Sequence, residues 1–82
     1  MNITIYSKHS CPYCHQIKQV AEHLKVTKNF QITVYNLDEH FTKEQFYQEF
    51  GVGSTFPQVL LDDKKTGGCT DTVKYLRENN IL

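Results

Sequence analysis

The sequence predicts an α/β fold of order βαβαββα, a four-stranded mixed sheet with helices on both faces. Three observations predict it. Two alternating, β-branched runs, Asn2–Tyr6 and Phe30–Leu37, bracket an apolar pattern of helical period. A strand–helix–strand unit of roughly 35 residues places its two strands parallel with a right-handed crossover. Beyond it come a second helix-start signal, two short strand-like runs joined by Asp62-Asp63, and a final amphipathic stretch.

In order, Asn2-Ile3-Thr4-Ile5-Tyr6 is the first strand, and Ser7 to Ser10 is a loop. Pro12 suits the first position of a helix, where a missing N–H costs nothing. Ile17, Val20, Ala21 and Leu24 then recur at i, i+3, i+4 and i+7, an amphipathic helix of about three to four turns. Phe30 to Leu37 alternates throughout and forms the second strand. Thr42-Lys43-Glu44-Gln45 reads as a capping box, with Phe41 and Phe46 placed for a hydrophobic staple. That helix ends near Phe50, stopped by Gly51 and Gly53, and its phenylalanines are core residues. Gln58-Val59-Leu60-Leu61 is a third strand, and Lys64 to Thr66 returns antiparallel to it. Gly67-Gly68 breaks the run; Thr70 or Asp71 caps a last helix that turns Val73, Leu76 and Ile81 inward.

The totals bound the function. Eighty-two residues make one domain, 1–82, near the lower limit for a self-sufficient core. Nine basic and nine acidic residues cancel, so no basic face argues for nucleic acid or an anionic membrane surface. No apolar run approaches the roughly 18 residues of a membrane span, and the first residues lack the basic-then-apolar layout of a secretory signal. Three cysteines, two of them closely paired, are not a secreted disulfide framework. The expectation is a cytoplasmic protein with reduced thiols.

The chemistry-bearing stretch is Ser10-Cys11-Pro12-Tyr13-Cys14-His15. A cysteine that opens a helix faces unpaired N–H groups and the positive end of the helix dipole, which stabilise its nucleophilic thiolate. Cys14, one turn on, is close enough to close a disulfide. Lys8 adds a nearby positive charge. The same residues match a c-type haem attachment pattern, but Met1 is the only methionine available as an axial ligand and no export signal is seen. A structural zinc site needs two further close ligands, and His9, His15, His23 and His40 lack a paired spacing; each reads better as a surface residue. A Cys-x-x-Cys at the first helix of a βαβ unit is the thioredoxin-like signature.

Four separated pieces carry a closer resemblance: Tyr6-Ser7-Lys8, Cys11-Pro12-Tyr13-Cys14, Thr55-Phe56-Pro57-Gln58-Val59 and Gly67-Gly68-Cys69-Thr70-Asp71. In order and spacing they resemble a small dithiol glutaredoxin, and the resemblance spans essentially the whole chain. It implies a thioredoxin fold and a glutathione-dependent thiol–disulfide oxidoreductase. Cys11 would be the nucleophile and Cys14 the resolving thiol. Lys8, Tyr13, Thr55, Phe56 and Pro57 would line a glutathione site, with Gly68, Cys69, Thr70 and Asp71 opposite. The resemblance also implies a cis peptide before Pro57, which leaves the Phe56 N–H and C=O free to pair with an extended peptide. The family often adds a basic or amide side chain from its second helix, here unassigned. His9 stands where the family often has proline, Phe56 where it commonly has valine, and Thr72 where it has an apolar residue. Cys69 reads as a small buried side chain, Tyr13 as a partly exposed ring. Glutathione is implied as co-substrate, with no metal and no tightly bound cofactor. The implied partners are disulfide-bonded or glutathionylated proteins, of which ribonucleotide reductase is a common one, acting on a monomer. Two alternatives stay open: a glutaredoxin-like thioredoxin fed by a thioredoxin reductase, and a module binding zinc or an iron–sulfur cluster through Cys11.

Overall fold

Ile3, Ile5 and Ser7 alternate with Tyr6 along β1 (Asn2–Ser7), so the first strand turns a different side chain set to each face of the sheet. The computed structural model describes residues 1–82. After β1 come α1 (Pro12–Lys28), β2 (Gln31–Asn36), α2 (Lys43–Phe50), β3 (Gln58–Leu61), β4 (Lys64–Gly67) and α3 (Cys69–Glu78). The sheet order is β2-β1-β3-β4. β1 and β2 pair in parallel from Asn2 opposite Gln31 to Ser7 opposite Asn36, while β3 is antiparallel to both β1 and β4.

Each face has its own core. On one side α1 and α3 cover Ile3, Ile5, Val59 and Leu61 with Ile17, Ala21, Leu24 and Leu76, all buried. On the other side the Phe41, Phe46 and Phe50 set of α2 and its approach packs on Tyr6, with ring centroids 5.0–5.3 Å apart for Phe50 and Phe41. The phenylalanines therefore build a separate aromatic layer. Period alone marks them as buried but not on which face. The capping box is present, with Thr42 Oγ1 accepting from Gln45 N–H and Gln45 Oε1 accepting from Thr42 N–H, and Phe41 stacks on Phe46 at 5.8 Å.

Three local expectations are corrected. α1 runs 17 residues, to a left-handed Asn29 at φ 58°, because Val26, Thr27 and Lys28 continue the helix on its exposed side. β4 extends through Gly67, whose φ of 91° turns the chain only after it has paired with Val59. α3 starts from Gly68 as N-cap, with no side-chain cap, so neither Thr70 nor Asp71 caps it. Asp71 lies inside the first turn instead, where a carboxylate favours the helix dipole. Thr72 is fully buried yet satisfied: its hydroxyl meets the Thr66 hydroxyl at 2.8 Å.

Candidate active site

The loop from β1 reaches α1 through Ser10, held at φ 56°, and Cys11 becomes the helix N-cap with extended backbone. Pro12 then occupies the first turn, and Cys11 C=O accepts the first bond from His15 N–H at 3.1 Å. Cys11 Sγ accepts the Cys14 N–H at 3.2 Å, a donor that no earlier carbonyl of the helix can use. Cys11 and Cys14 are joined as a disulfide with Cα atoms 5.2 Å apart. Their exposures differ in kind: Cys14 is 1% exposed, whereas Cys11 is partly open to solvent. An incoming thiolate therefore reaches Cys11.

Beside this pair is a groove of about 170 Å³, lined by Tyr13 from α1, Thr55, Phe56 and Pro57 from the loop before β3, and Gly68 to Asp71 at the start of α3. Eight of the nine residues named from sequence for the ligand site thus surround one hollow; Lys8 lies outside it. The volume is below the roughly 300 Å³ of a pocket that encloses a small ligand, so the shape is a trough for an extended one. The Phe56–Pro57 peptide is cis, and neither the N–H nor the C=O of Phe56 takes a hydrogen bond within the chain. Across the groove, the N–H groups of Thr70 and Asp71 precede the first bond of α3, Thr72 N–H to Gly68 C=O. At Gly68 the two walls come within ordinary van der Waals range, a Cβ there lying 3.5 Å from the Pro57 carbonyl oxygen.

The groove continues past Phe56 into a hollow of about 360 Å³ that Lys8 and Lys43 share with Thr55 and Tyr47. Lys8 Nζ stands 5.5 Å from the centroid of the Phe56 ring. Lys43 is the first residue of α2, immediately after the Thr42 cap. It was not assigned from sequence, although the capping box fixes its position at the helix start; what the sequence does not reveal is that this start faces Phe56. Phe56 itself is braced from behind by Phe46, with centroids 4.1 Å apart and planes 10° from parallel.

Tyr13 is 57% exposed at the rim. Cys69 is the one free cysteine, 8% exposed, with Sγ 4.0 Å from Gln16 Oε1, and burial pushes its thiol above the usual cysteine value. It lines the groove as a small wall residue. All four histidines are exposed, and no three His, Cys, Asp or Glu side chains gather within metal-ligand range. No helix is long and apolar enough to cross a membrane.

The arrangement has known counterparts. The family model described as Glutaredoxin matches residues 3–65. Glutaredoxin 1 of Escherichia coli is 34% identical over 82 residues, covering 96% of each chain, and the glutaredoxin of Vibrio cholerae is 34% identical over 96% of this chain and 94% of its own. Among solved structures, reduced Escherichia coli glutaredoxin superposes with a TM-score of 0.85 at 32% identity over the whole of both chains. With the Cys11–Cys14 pair at the start of α1 and the four-stranded mixed sheet behind it, the chain belongs to the glutaredoxin family, the glutathione-dependent thiol–disulfide oxidoreductases.

Proposed function

We propose that residues 1–82 act as a single cytoplasmic, monomeric domain in which Cys11 attacks, Cys14 resolves, and glutathione lies along the groove between Phe56 and Asp71. The observation that supports this reading is the convergence on that groove of the free Phe56 N–H and C=O and the open N–H groups at the start of α3. The cysteinyl unit of glutathione pairs with the Phe56 backbone as an added strand would. Its γ-glutamyl carboxylate meets the α3 N–H groups, and Asp71 takes the ammonium. Its glycine carboxylate lies toward Lys8 and Lys43, the two cations of the continuing hollow. All these groups come from one chain, which is why a monomer suffices, and working thiols require a reducing compartment.

In the dithiol route, Cys11 thiolate attacks a client disulfide, forming a Cys11–client bond and releasing one client thiolate. Cys14 attacks the Cys11 sulfur, closing the Cys11–Cys14 disulfide and releasing the second client thiol. One glutathione then attacks Cys11 and frees Cys14; a second attacks the bound glutathione sulfur, frees Cys11 and leaves as glutathione disulfide. In the monothiol route, Cys11 attacks the glutathione sulfur of a glutathionylated protein, the protein thiol leaves, and a second glutathione frees Cys11. Every step is thiol–disulfide exchange, and the leaving Cys11 sulfur is favoured as thiolate by the Cys14 N–H that points at it. Disulfide-bonded proteins such as ribonucleotide reductase fit the first route. No tightly bound cofactor enters either one.

The test is a pair of variants on two substrates, a protein disulfide and a glutathionylated peptide, with glutathione and its reductase as the electron source. Cys11→Ser is expected to abolish both reductions, whereas Cys14→Ser loses the first and keeps the second. A Cys14→Ser protein inactive on both would refute the assigned roles. Turnover supported only by a thioredoxin reductase would refute the glutathione groove.

A further inference from the structure

A second hollow, about 530 Å³, shares no lining residue with the groove and only Lys8 with the groove's continuation past Phe56. Cys11 itself lines it, together with Lys8 and His9 from the loop after β1 and His15 and Lys18 from α1. Pro12 is its one apolar residue, and no carboxylate lines it. His15 and Lys18 stand three apart on α1, so they share one helix face. Ser10, at φ 56°, folds the loop back so that Lys8 and His9 border the same hollow. His9 Nε2 is held 2.6 Å from Glu39 Oε1, and Glu39 does not line the hollow. The chain as a whole is neutral, with nine Lys and Arg against nine Asp and Glu, so two lysines beside the nucleophile with no carboxylate in the same wall are a local segregation. In the groove the charged wall residue is Asp71.

We propose that this basic hollow receives an acidic segment of the client protein adjoining its reactive cysteine, so that the enzyme prefers disulfides flanked by Asp or Glu. The inference rests on the glutathione-dependent reading above. A client cysteine joined to Cys11 must place its neighbouring residues against surfaces that border Cys11. With glutathione along the Phe56–Asp71 trough, the wall formed by His15 and Lys18 is left to the client. Charge complementarity selects carboxylates for it, through attraction that is screened by salt.

Three synthetic peptides test this, each closing two cysteines into an intramolecular disulfide and differing only in flanks of Glu, Gln or Lys. The reaction is peptide disulfide plus two glutathione giving peptide dithiol plus glutathione disulfide. At low ionic strength, kcat/KM for the Glu peptide is expected to exceed that for the Gln peptide by about three- to tenfold, the effect of one or two exposed ion pairs, with the Lys peptide below both. The difference is expected to collapse near 0.5 M salt, where charges are screened within about 3–5 Å. The double variant His15→Gln, Lys18→Gln is expected to remove the preference while leaving the Gln peptide within about twofold of wild type, a change too small to reflect lost exchange chemistry. Equal rates for the three peptides overturn the inference. So does a double variant that slows all three alike, because the His15 and Lys18 side chains would then act on the Cys11 thiolate and not on the client. Failure of the wild-type enzyme to turn over even the Gln peptide would refute the glutathione-dependent reading, and this inference with it.

Discussion

Phe46→Leu tests whether the aromatic layer under α2 supports the glutathione groove. Phe46 is 1% exposed and stacks on Phe56 at 4.1 Å, with Phe41 and Phe50 at 5.8 and 5.1 Å. Leucine keeps the site apolar but removes the ring face that meets Phe56. The lost aromatic pairing is worth about 1 kcal/mol, and the residual void adds about another 1 kcal/mol. A domain of this size holds roughly 4–12 kcal/mol in total, so a loss of about 2 kcal/mol leaves it folded. With a urea slope of about 1 kcal/mol/M, the unfolding midpoint is expected to fall by about 2 M. Because Phe56 carries the free N–H and C=O, its loosened ring is expected to raise KM for glutathione by several-fold, with kcat at saturation less affected. Urea unfolding followed by circular dichroism and a glutathione titration of the turnover rate read the two effects. A lower midpoint with unchanged KM would refute the coupling between the α2 layer and the groove; an unchanged midpoint would refute the packing argument itself.

Gly67→Ala acts on the opposite wall. At φ 91° a Cβ is strained and would stand 3.0 Å from Asp71 Oδ2, so both thermal stability and glutathione affinity are expected to fall, the first by about 1–2 kcal/mol. Gly51→Ala, at φ 102° with its new Cβ an ordinary 3.7 Å from Ser54 Oγ and outside every hollow of the site, is its control: stability falls but KM does not. Alkaline titration gives a further check. Burial raises the Cys69 thiol above 9.0, and burial first, then Tyr35 and Glu49, raises the Tyr6 phenol above 10.0. In both, the folded protein holds its proton more tightly than the unfolded chain. Their contribution to stability is therefore intact below those ordinary values and lost as pH rises toward and through the raised ones. Unfolding free energy measured from pH 8 upward is expected to decline above about 9, and Cys69→Ala is expected to flatten the first part of that decline. A curve that rises over this interval would contradict the sign.

Much of the backbone order was legible from sequence because it follows rules of short range. The Thr42–Gln45 box, the Phe41–Phe46 staple, Pro12 at the head of α1 and the alternation of β1 each depend on residues within one or two turns of one another. The start of α3 departs from expectation for a reason equally local. Thr70 and Asp71 are good caps in isolation, but Gly67 turns the chain one step earlier and Gly68 takes that position. Side-chain placement across the sheet was not legible. Period marks Phe46 as buried, yet only the closed sheet sets it behind Phe56, and Lys43 borders the hollow beside Phe56 although nothing near it in sequence faces a ligand.

Local geometry was enough to point to dithiol chemistry: a cysteine at a helix start, a second one turn later and a proline between them favour a thiolate and a partner within reach. The sequence also named, through resemblance, the distant residues of the Thr55–Pro57 and Gly68–Asp71 segments. The folded chain added the 170 Å³ trough between them and the position of Lys8 outside that trough, between Phe56 and a basic hollow. The reason is physical. Bond geometry and helix dipoles act along the chain, whereas exposure, cavity walls and the side of Cys11 that carries charge arise from which faces the sheet brings together.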